Sequence, residues 1–549
     1  MSFSLLDMVV KSAHMLRCVV RDLDGERTGT VYLRCGTRLH ERAPMSTACG
    51  CSPAALRADG LERLIGADHG LVRHTALVAA SSSAMRDVHH ATYGIDHATA
   101  TGKLILWIRN CSDYSLHIPH MEIFYMRRTD RKGLRAPACV LDLELAPAGQ
   151  PDDDVLPVER YSTVWCLSRV GGLPREISFW DVAGDAGVRI QDLRDQLNPE
   201  GNAGPVSADL PAAGAANLAV TVVICTRDRA AGLRAALASL ERQTDPDFRV
   251  LVVDNGSNSP EPEAVVSESG LPRCEYVTEP RPGLSRARNR ALEEVHTELV
   301  AWLDDDEIAD PAWVLRLKEG FAHPAKPAAV CGVMLPAELE SEAQVRFEQY
   351  GGFNKGRGMA PEVLRAGTST VISPLYPLPS FGAGGNMAFR TQDLKAVGRF
   401  DPYLGAGTRT HGGEETRALS LLLSSGHAML HWPAAITWHT HRREMAALRK
   451  QFYGYSAGLS AFYASMLRSR PTVAFDLVRL APLVLRDFRH GSGNQRSGNL
   501  PDDFPAQLRK AARRGLLGGG FLYAYEAIRE RRQPEAVSRE GVLSDAAHT

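Results

Sequence analysis

Three times between residues 220 and 306, an apolar run of strand length stops abruptly at a polar or acidic residue. Val220-Thr-Val-Val-Ile-Cys ends at Thr226, Phe248-Arg-Val-Leu-Val-Val ends at Asp254-Asn255-Gly256, and Val300-Ala-Trp-Leu ends at Asp304-Asp305-Asp306-Glu307. Between the first two, Ala230 to Leu240 carries apolar residues at helical spacing. Strands that alternate with helices build a parallel sheet covered on both faces. Ligands of such sheets sit beyond the carboxyl ends of the strands. Thr226, Asp254 and the acidic triplet all fall on that edge.

The triplet narrows the chemistry. Like charges at a strand end repel one another and lose solvation in a cleft unless a divalent cation is shared among them. Oxygen ligands with little sulfur or imidazole nearby suit Mg²⁺ or Mn²⁺, ions that also neutralise a diphosphate. The competing reading is a solvated acidic turn, with Asp310-Pro311 opening the next helix.

Taken with Arg281-Pro-Gly-Leu-Ser-Arg286-Ala-Arg-Asn289, Gly382-Ala-Gly-Gly-Asn386-Met-Ala-Phe-Arg390 and Gly413-Glu414-Glu415, these runs resemble family 2 glycosyltransferases over roughly residues 219 to 445. The resemblance implies an α/β fold of the GT-A nucleotide-diphospho-sugar transferase type, a Rossmann-like mixed sheet. It also implies inverting transfer of a sugar from a nucleotide-diphosphate donor to an acceptor hydroxyl in polysaccharide, glycolipid or glycoconjugate synthesis.

Carried over residue by residue, the resemblance places Thr226 and Arg227 along the nucleotide pocket and makes Asp254 the acceptor for the base. Arg286 and Arg288, in a helix opened by Gly283-Leu-Ser285, reach the diphosphate while Ser285 caps the backbone. Asp304 meets the ribose, Asp306 meets the metal, and Asp305 serves either purpose. Asp304 and His439, in Trp438-His439-Thr-His441-Arg442, are further candidate metal ligands, with His411 as an alternative. Inverting transfer needs a carboxylate to take the acceptor proton. The family carries Asp there; this chain carries Glu415, one methylene longer, which leaves Glu415 or its neighbour Glu414 as the base. A nucleotidyltransferase is the competing enzyme class, but Thr226-Arg-Asp-Arg-Ala-Ala lacks that class's glycine cluster. A degenerate sugar-nucleotide-binding scaffold is the non-enzymatic reading.

The remainder is less specific. Lys plus Arg number 63 against 64 Asp plus Glu in 549 residues, and this balance argues against nucleic acid as a partner. The length suits about two or three domains. Residues 1–130 contain strand-like runs at Leu104–Arg109 and Met121–Met126, with His89, His90, His97, His117 and His120 nearby in no standard metal spacing. Residues 131–200 read as a small β-rich accessory module, 201–218 as a linker, 446–529 as a helical region and 530–549 as a disordered tail. The ten cysteines are scattered without Cys-x-x-Cys spacing, which favours reduced thiols in a cytosol; Cys49-Gly-Cys51, the only close pair, is weak evidence for a metal or a disulfide. No leader or bilayer-length apolar run is expected. Val473, Leu477, Leu480, Val484 and Phe488 form a stripe flanked by Arg479, Arg486 and Arg489. Such a helix either packs back on the catalytic domain or rests peripherally on the inner face of the plasma membrane.

Overall fold

The computed structural model describes backbone segments within residues 3–129, then 130–145, 155–156, 160–184, 188–198 and 217–532, apart from 356, 369–370, 372, 377–383 and 491–499. Of residues 1–125 only the backbone is described, and His89, His90, His97, His117 and His120 lie outside the described residues, as do Cys49 and Cys51. Contacts divide the chain into two compact units. The first comprises Met1–Thr129, Gln150–Ser162 and Trp180–Gln196. In it, Phe3–Ser12, Met15–Asp22, Thr28–Cys35 and Met121–Thr129 run antiparallel in sequence order. A separate antiparallel sheet joins Leu71–Ala76, Ala91–Asp96 and Ile105–Asn110.

The second unit comprises Asp130–Gly149, Thr163–Phe179 and Leu197–Thr549. Its nine-stranded sheet begins with β1 (Val220–Thr226), β2 (Arg249–Asp254) and β3 (Cys274–Thr278), with helices α1 (Ala230–Leu240), α2 (Glu261–Ser267) and α3 (Leu284–Glu294) between and after them. Strands β4 (Leu299–Trp302) and β5 (Glu307–Ala309) follow on either side of the acidic triplet, then α4 (Trp313–Phe321), β6 (Ala329–Pro336), α5 (Glu342–Gln349) and β7 (Glu362–Leu364). The chain continues through β8 (Met387–Arg390), α6 (Thr391–Ala396), α7 (Glu414–Ser424) and β9 (Met429–His439). It closes with α8 (Met445–Ser469), α9 (Val473–His490) and α10 (Ala506–Arg532).

Strands β3, β2, β1 and β4 are parallel neighbours, as buried β-branched runs with helical crossovers require. The sheet then turns mixed: β8 runs antiparallel between β4 and β6, β9 runs parallel to β6, and short β5 and β7 pair antiparallel with β9. The two faces are separately cored, one by Ile224, Val252, Leu237, Trp313 and Trp432, the other by Val223, Trp302, Phe389, Phe400 and Leu422. Asn386 fastens the mixed half from inside. Its amide donates to Val333 and Ala435 carbonyls at 2.9 and 3.0 Å and accepts from Trp313 Nε1 at 2.9 Å.

The linear division into accessory module and catalytic domain needs correction at one point. Strands Ala138–Glu144 and Thr163–Val170, parallel to each other, belong to the second unit. Trp165 and Leu167 share a core with Val333, Leu335, Val345 and Ile436, and Arg169 pairs with Asp310 at 2.7 Å. On α9, the first part of the expected stripe packs back: Val473 is buried, and Leu477 and Leu480 lean on Phe462 and Met466 of α8, while the side chains of Val484 and Phe488 lie outside the described residues. The opposite face exposes Phe475 and Val478. Helix α10 continues to Arg532, past the expected start of the tail. It meets α8 so closely that a Cβ on Gly515 or Gly519 would fall 2.2 or 2.0 Å from the Tyr453 or Ala457 carbonyl oxygen. Among the described residues, no helix is long and apolar enough to cross a membrane.

Candidate active site

The strand β4 delivers the triplet to the sheet edge, and a tight turn there splits its three carboxylates by direction. Asp305 points inward and is 5% exposed. It accepts Thr226 Oγ1 at 2.8 Å and Arg229 at 2.8 Å. Helix α1 presses on the same turn: a Cβ on Gly232 would lie 2.3 Å from the Asp305 carbonyl oxygen. Asp304 and Asp306 face outward, with side chains 38% and 26% exposed. Arg229 also grips Asp306 at 2.7 Å. Thr226, expected along the nucleotide pocket, therefore spends its hydroxyl on positioning Asp305.

The strand β5, immediately after the triplet, pairs Glu307 with His439 at the end of β9. This register brings His439 Nε2 to 3.6 Å from Asp306 Oδ1, with Arg442 4.0 Å from Asp306 Oδ2. Burial works to raise the Asp306 carboxyl, but His439 and Arg229 outweigh it and hold it below the usual range. Asp304 goes the other way. Burial pushes it up to about 6, helped by Asp306 and Asp305 and opposed by Arg288.

Arg288, 1% exposed, is the hinge between the two acidic groups. It lies 3.7 Å from Asp304 and 3.1 Å from Glu414, donates to the Gly384 carbonyl at 3.0 Å, and sits over Trp302 and Phe400. The run Gly384-Gly385 threads this junction. A Cβ on Gly384 would touch Arg288 and Glu415 Cγ at 3.3 and 3.6 Å, and one on Gly385 would lie 1.7 Å from Glu307 Oε1 and 2.8 Å from Asp304. Gly382 and Ala383 of the same motif fall outside the described residues.

At the head of α7 the two glutamates divide their work. Gly413, at φ 93°, turns the chain into the helix. Glu414 is buried against Arg288, and burial with the charge of Glu415 pushes its carboxyl up to about 8 against the pull of Arg288. Glu415 is half-exposed beside Gly384. His411, the alternative histidine, faces Tyr453 instead.

At the end of β2, Asp254 is buried, accepting Ser257 N–H at 2.8 Å and the Tyr276 hydroxyl at 2.7 Å. Asn255 braces the next loop, donating to Glu279 and Arg281 carbonyls and accepting Gly283 N–H. Arg227 is 43% exposed, with Asp228 at 3.8 Å. Two expectations on α3 change. Gly283, at φ 138°, is the N-cap and no side chain caps there; Ser285 Oγ donates to the Leu404 carbonyl instead. Arg286 pairs with Glu530 of α10 at 2.7 Å rather than standing free for a diphosphate.

Six carboxyl groups thus gather here: Asp304, Asp305, Asp306, Glu307, Glu414 and Glu415. They are met by Arg229, Arg288 and, at the rim, Arg442. Glu307 is 1% exposed, with Thr437 beside its carboxyl. Burial and Asp304 push it well above the usual range. No group of three or more metal-binding side chains is preassembled among the described residues. The donor set nevertheless fits a Mg²⁺-type ion, which takes one or two carboxylates and completes its shell with phosphate oxygens and water. Neighbouring ligands about 2.1 Å from such an ion lie about 3 Å apart, close to the 3.6 Å between Asp306 and His439. Arg229 and Glu307 stand inside the strand-end motifs, where their residue types alone assigned them no role, and Glu348 carried no signal in the sequence.

Residues 221–398 match the family model for glycosyl transferase family 2. The pre-mycofactocin glycosyltransferase of Mycobacterium tuberculosis is 29% identical over 255 residues, 45% of this chain and 48% of that protein. The validoxylamine A glucosyltransferase of Streptomyces hygroscopicus is 35% identical over 117 residues, 21% of this chain and 28% of that one. The chain thus spans about half or less of the length of these curated relatives. A solved mannosyltransferase from Pyrobaculum calidifontis, in complex with GDP-Man and Mn²⁺, covers 60% of this chain and 79% of its own at 17% identity, with a TM-score of 0.34.

Proposed function

The chain carries a glycosyl transferase family 2 domain, and from that premise we propose that it moves a sugar from a nucleotide-diphosphate donor to an acceptor hydroxyl with inversion, in polysaccharide or glycoconjugate synthesis. The observation that carries this reading is that Gly384-Gly385 lies against both acidic runs: Gly385 beside Asp304, which with Asp306 is partly exposed, and Gly384 beside the half-exposed Glu415.

Asp306 and His439, with Asp304 beside them, hold a divalent cation, Mg²⁺ or Mn²⁺. The ion supplies charge neutralisation for the departing diphosphate when bound. Arg229 fixes the orientation of Asp306, and Arg288 keeps Asp304 and Glu414 apart while balancing part of their charge. Asp254 and Arg227 mark the nucleotide end of the cleft. Glu415 takes the acceptor proton, because it alone of the helix-head pair reaches the cleft; Glu414 positions Arg288.

Exposed apolar residues support peripheral contact with the inner face of a plasma membrane. Phe475 and Val478 on α9, and Leu517 and Phe521 on α10, are each more than 70% exposed. Arg509, Lys510, Arg513 and Arg514 are exposed earlier on α10, a pairing of cationic and apolar surface that suits anionic lipid. Sedimentation with phosphatidylglycerol vesicles tests it: binding that Phe521→Ser with Leu517→Ser leaves intact refutes the contact.

Calorimetry of the full chain against UDP-, GDP- and dTDP-sugars, each with Mn²⁺ and with EDTA, tests the main reading. Metal-dependent tightening by one nucleotide class is expected. Silence from a folded sample refutes sugar transfer and favours a scaffold.

A further inference from the structure

His439 Nε2 faces Asp306, and its other ring nitrogen faces away from the cleft into a dry pocket. His439 Nδ1 lies 2.9 Å from His441 Nδ1. His441 Nε2 lies 3.1 Å from Glu348 Oε1. The second oxygen of Glu348 accepts Trp165 Nε1 at 3.1 Å. All four residues are at most 5% exposed. Phe353 packs edge-on to His439 at 4.9 Å and lies 5.5 Å from His441, while Phe347 meets His441 at 4.9 Å.

Indole nitrogen only donates and a carboxylate only accepts, so Glu348 is an acceptor at both ends and His441 Nε2 carries a hydrogen. Two N–H groups cannot face each other across the 2.9 Å between the two Nδ1 atoms, so one of these nitrogens donates and the other accepts. A cation on His439 Nε2 takes that nitrogen's lone pair, which puts the ring's hydrogen on Nδ1 and makes His441 Nδ1 its acceptor. The chain of contacts therefore holds an acceptor where the cation-binding tautomer needs one, and a cation between Nε2 and Asp306 turns both into ligands. Carboxylate–imidazole pairs behind a metal-binding histidine fix its tautomer and orientation in this way.

We propose that Trp165, Glu348 and His441 are positioning residues that preset His439 Nε2 as a cation ligand, so that the strand Thr163–Val170, outside the family-matched segment, sets the affinity of the site for its divalent ion. The proposal rests on the cation-dependent reading above and extends it. It gives the strands before the linker a task in the site: Trp165 fixes the far end of the relay while its ring fills the shared core with Val333 and Ile436.

The test is Mn²⁺ binding to the full-length chain, read from the loss of free-ion electron paramagnetic resonance signal, with and without UDP, GDP and dTDP. Unfolding midpoints are recorded for each variant. Glu348→Gln places an amide N–H where a pure acceptor stood and is expected to weaken Mn²⁺ by about 10- to 100-fold. Trp165→Phe keeps the ring bulk, removes one donor, and is expected to weaken Mn²⁺ by a few-fold while staying folded. Because imidazole suits Mn²⁺ better than Mg²⁺, both variants should also narrow the preference for Mn²⁺ over Mg²⁺, a shift that a merely structural role would not produce. Unchanged Mn²⁺ affinity in a folded Trp165→Phe and Glu348→Gln pair overturns the relay if His439→Ala still abolishes binding. Wild-type affinity in His439→Ala, or no Mn²⁺ binding by the wild-type chain, overturns the cation site itself.

Discussion

Two runs of consecutive acids line the same cleft, and they are built on opposite principles. Asp304-Asp305-Asp306 sits on a turn between strands. There the middle carboxylate is the inward anchor, held by Thr226 and Arg229, and both outer ones face the cleft. Glu414-Glu415 sits on the first turn of a helix, where neighbours diverge by about 100°, so one is sunk against Arg288 and the other reaches out. Each run sacrifices one acid to hold the others in place. The turn yields two outward carboxylates, a geometry for gripping an ion, and the helix yields a single one, a geometry for taking one proton.

The sharpest test of that contrast is Asp306→Ala, expected to remove the metal-dependent part of nucleotide-sugar binding altogether in calorimetry with and without EDTA. Next is Glu415→Gln. It should leave donor binding within about two-fold and cut transfer by about 10²- to 10⁴-fold. Full transfer by Glu415→Gln, with loss in Glu414→Gln, would reverse the roles assigned at the helix head. Glu414→Leu leaves the buried Arg288 guanidinium to Asp304 and the Gly384 carbonyl and should cost about 1–3 kcal/mol in denaturant unfolding. Gly385→Ala drives a methyl into Glu307. It should cost about 1–3 kcal/mol and misplace Asp304, raising the Mn²⁺ concentration needed for donor binding.

The smallest effect expected is a slope in stability with pH. The Glu414 carboxyl ordinarily titrates at 4.5 and is pushed up to about 8 in the fold. Folding therefore takes up a proton between those values. The group's contribution is fully present below about 4.5 and is lost as the pH rises through about 8. Glu414→Gln should flatten this part of the stability profile by no more than about 1.4 kcal/mol per pH unit.

In the parallel half of the sheet, β1, β2 and β4 were readable because each is a nearly unbroken apolar run that stops at a polar residue, whereas β3 carries Glu275 and shows no such run; the motif order named the family now matched at 221–398. The division of labour inside each acidic run was not readable. Whether Asp305 turns in or out depends on the turn, on Thr226 and on Arg229, none of which is visible in three identical letters. The relay behind His439 was hidden for a different reason: Trp165, Glu348 and His441 are brought together by parallel pairing and core packing across nearly 280 positions. Gly518-Gly519-Gly520 reads as a helix breaker, yet lies within α10, because the close approach to Ala457 leaves no room for a side chain at Gly519. Ser285 was expected as a cap from composition alone, while the backbone of Gly283 already opens the helix.

The pairing of Arg286 with Glu530 has a consequence for the order in which the molecule can be made. Glu526 likewise holds Arg409, and Tyr523 donates to Asp401 at 2.8 Å. The early part of the catalytic sheet leaves the ribosome long before the helix that completes these contacts. At ~5–20 residues per second, the stretch from Arg286 to Glu530 takes about 10 to 50 s to appear. For that interval the head of α3 and the loop before α7 are nascent surfaces without their final partners, and the last helix acts as the latch that ends the assembly.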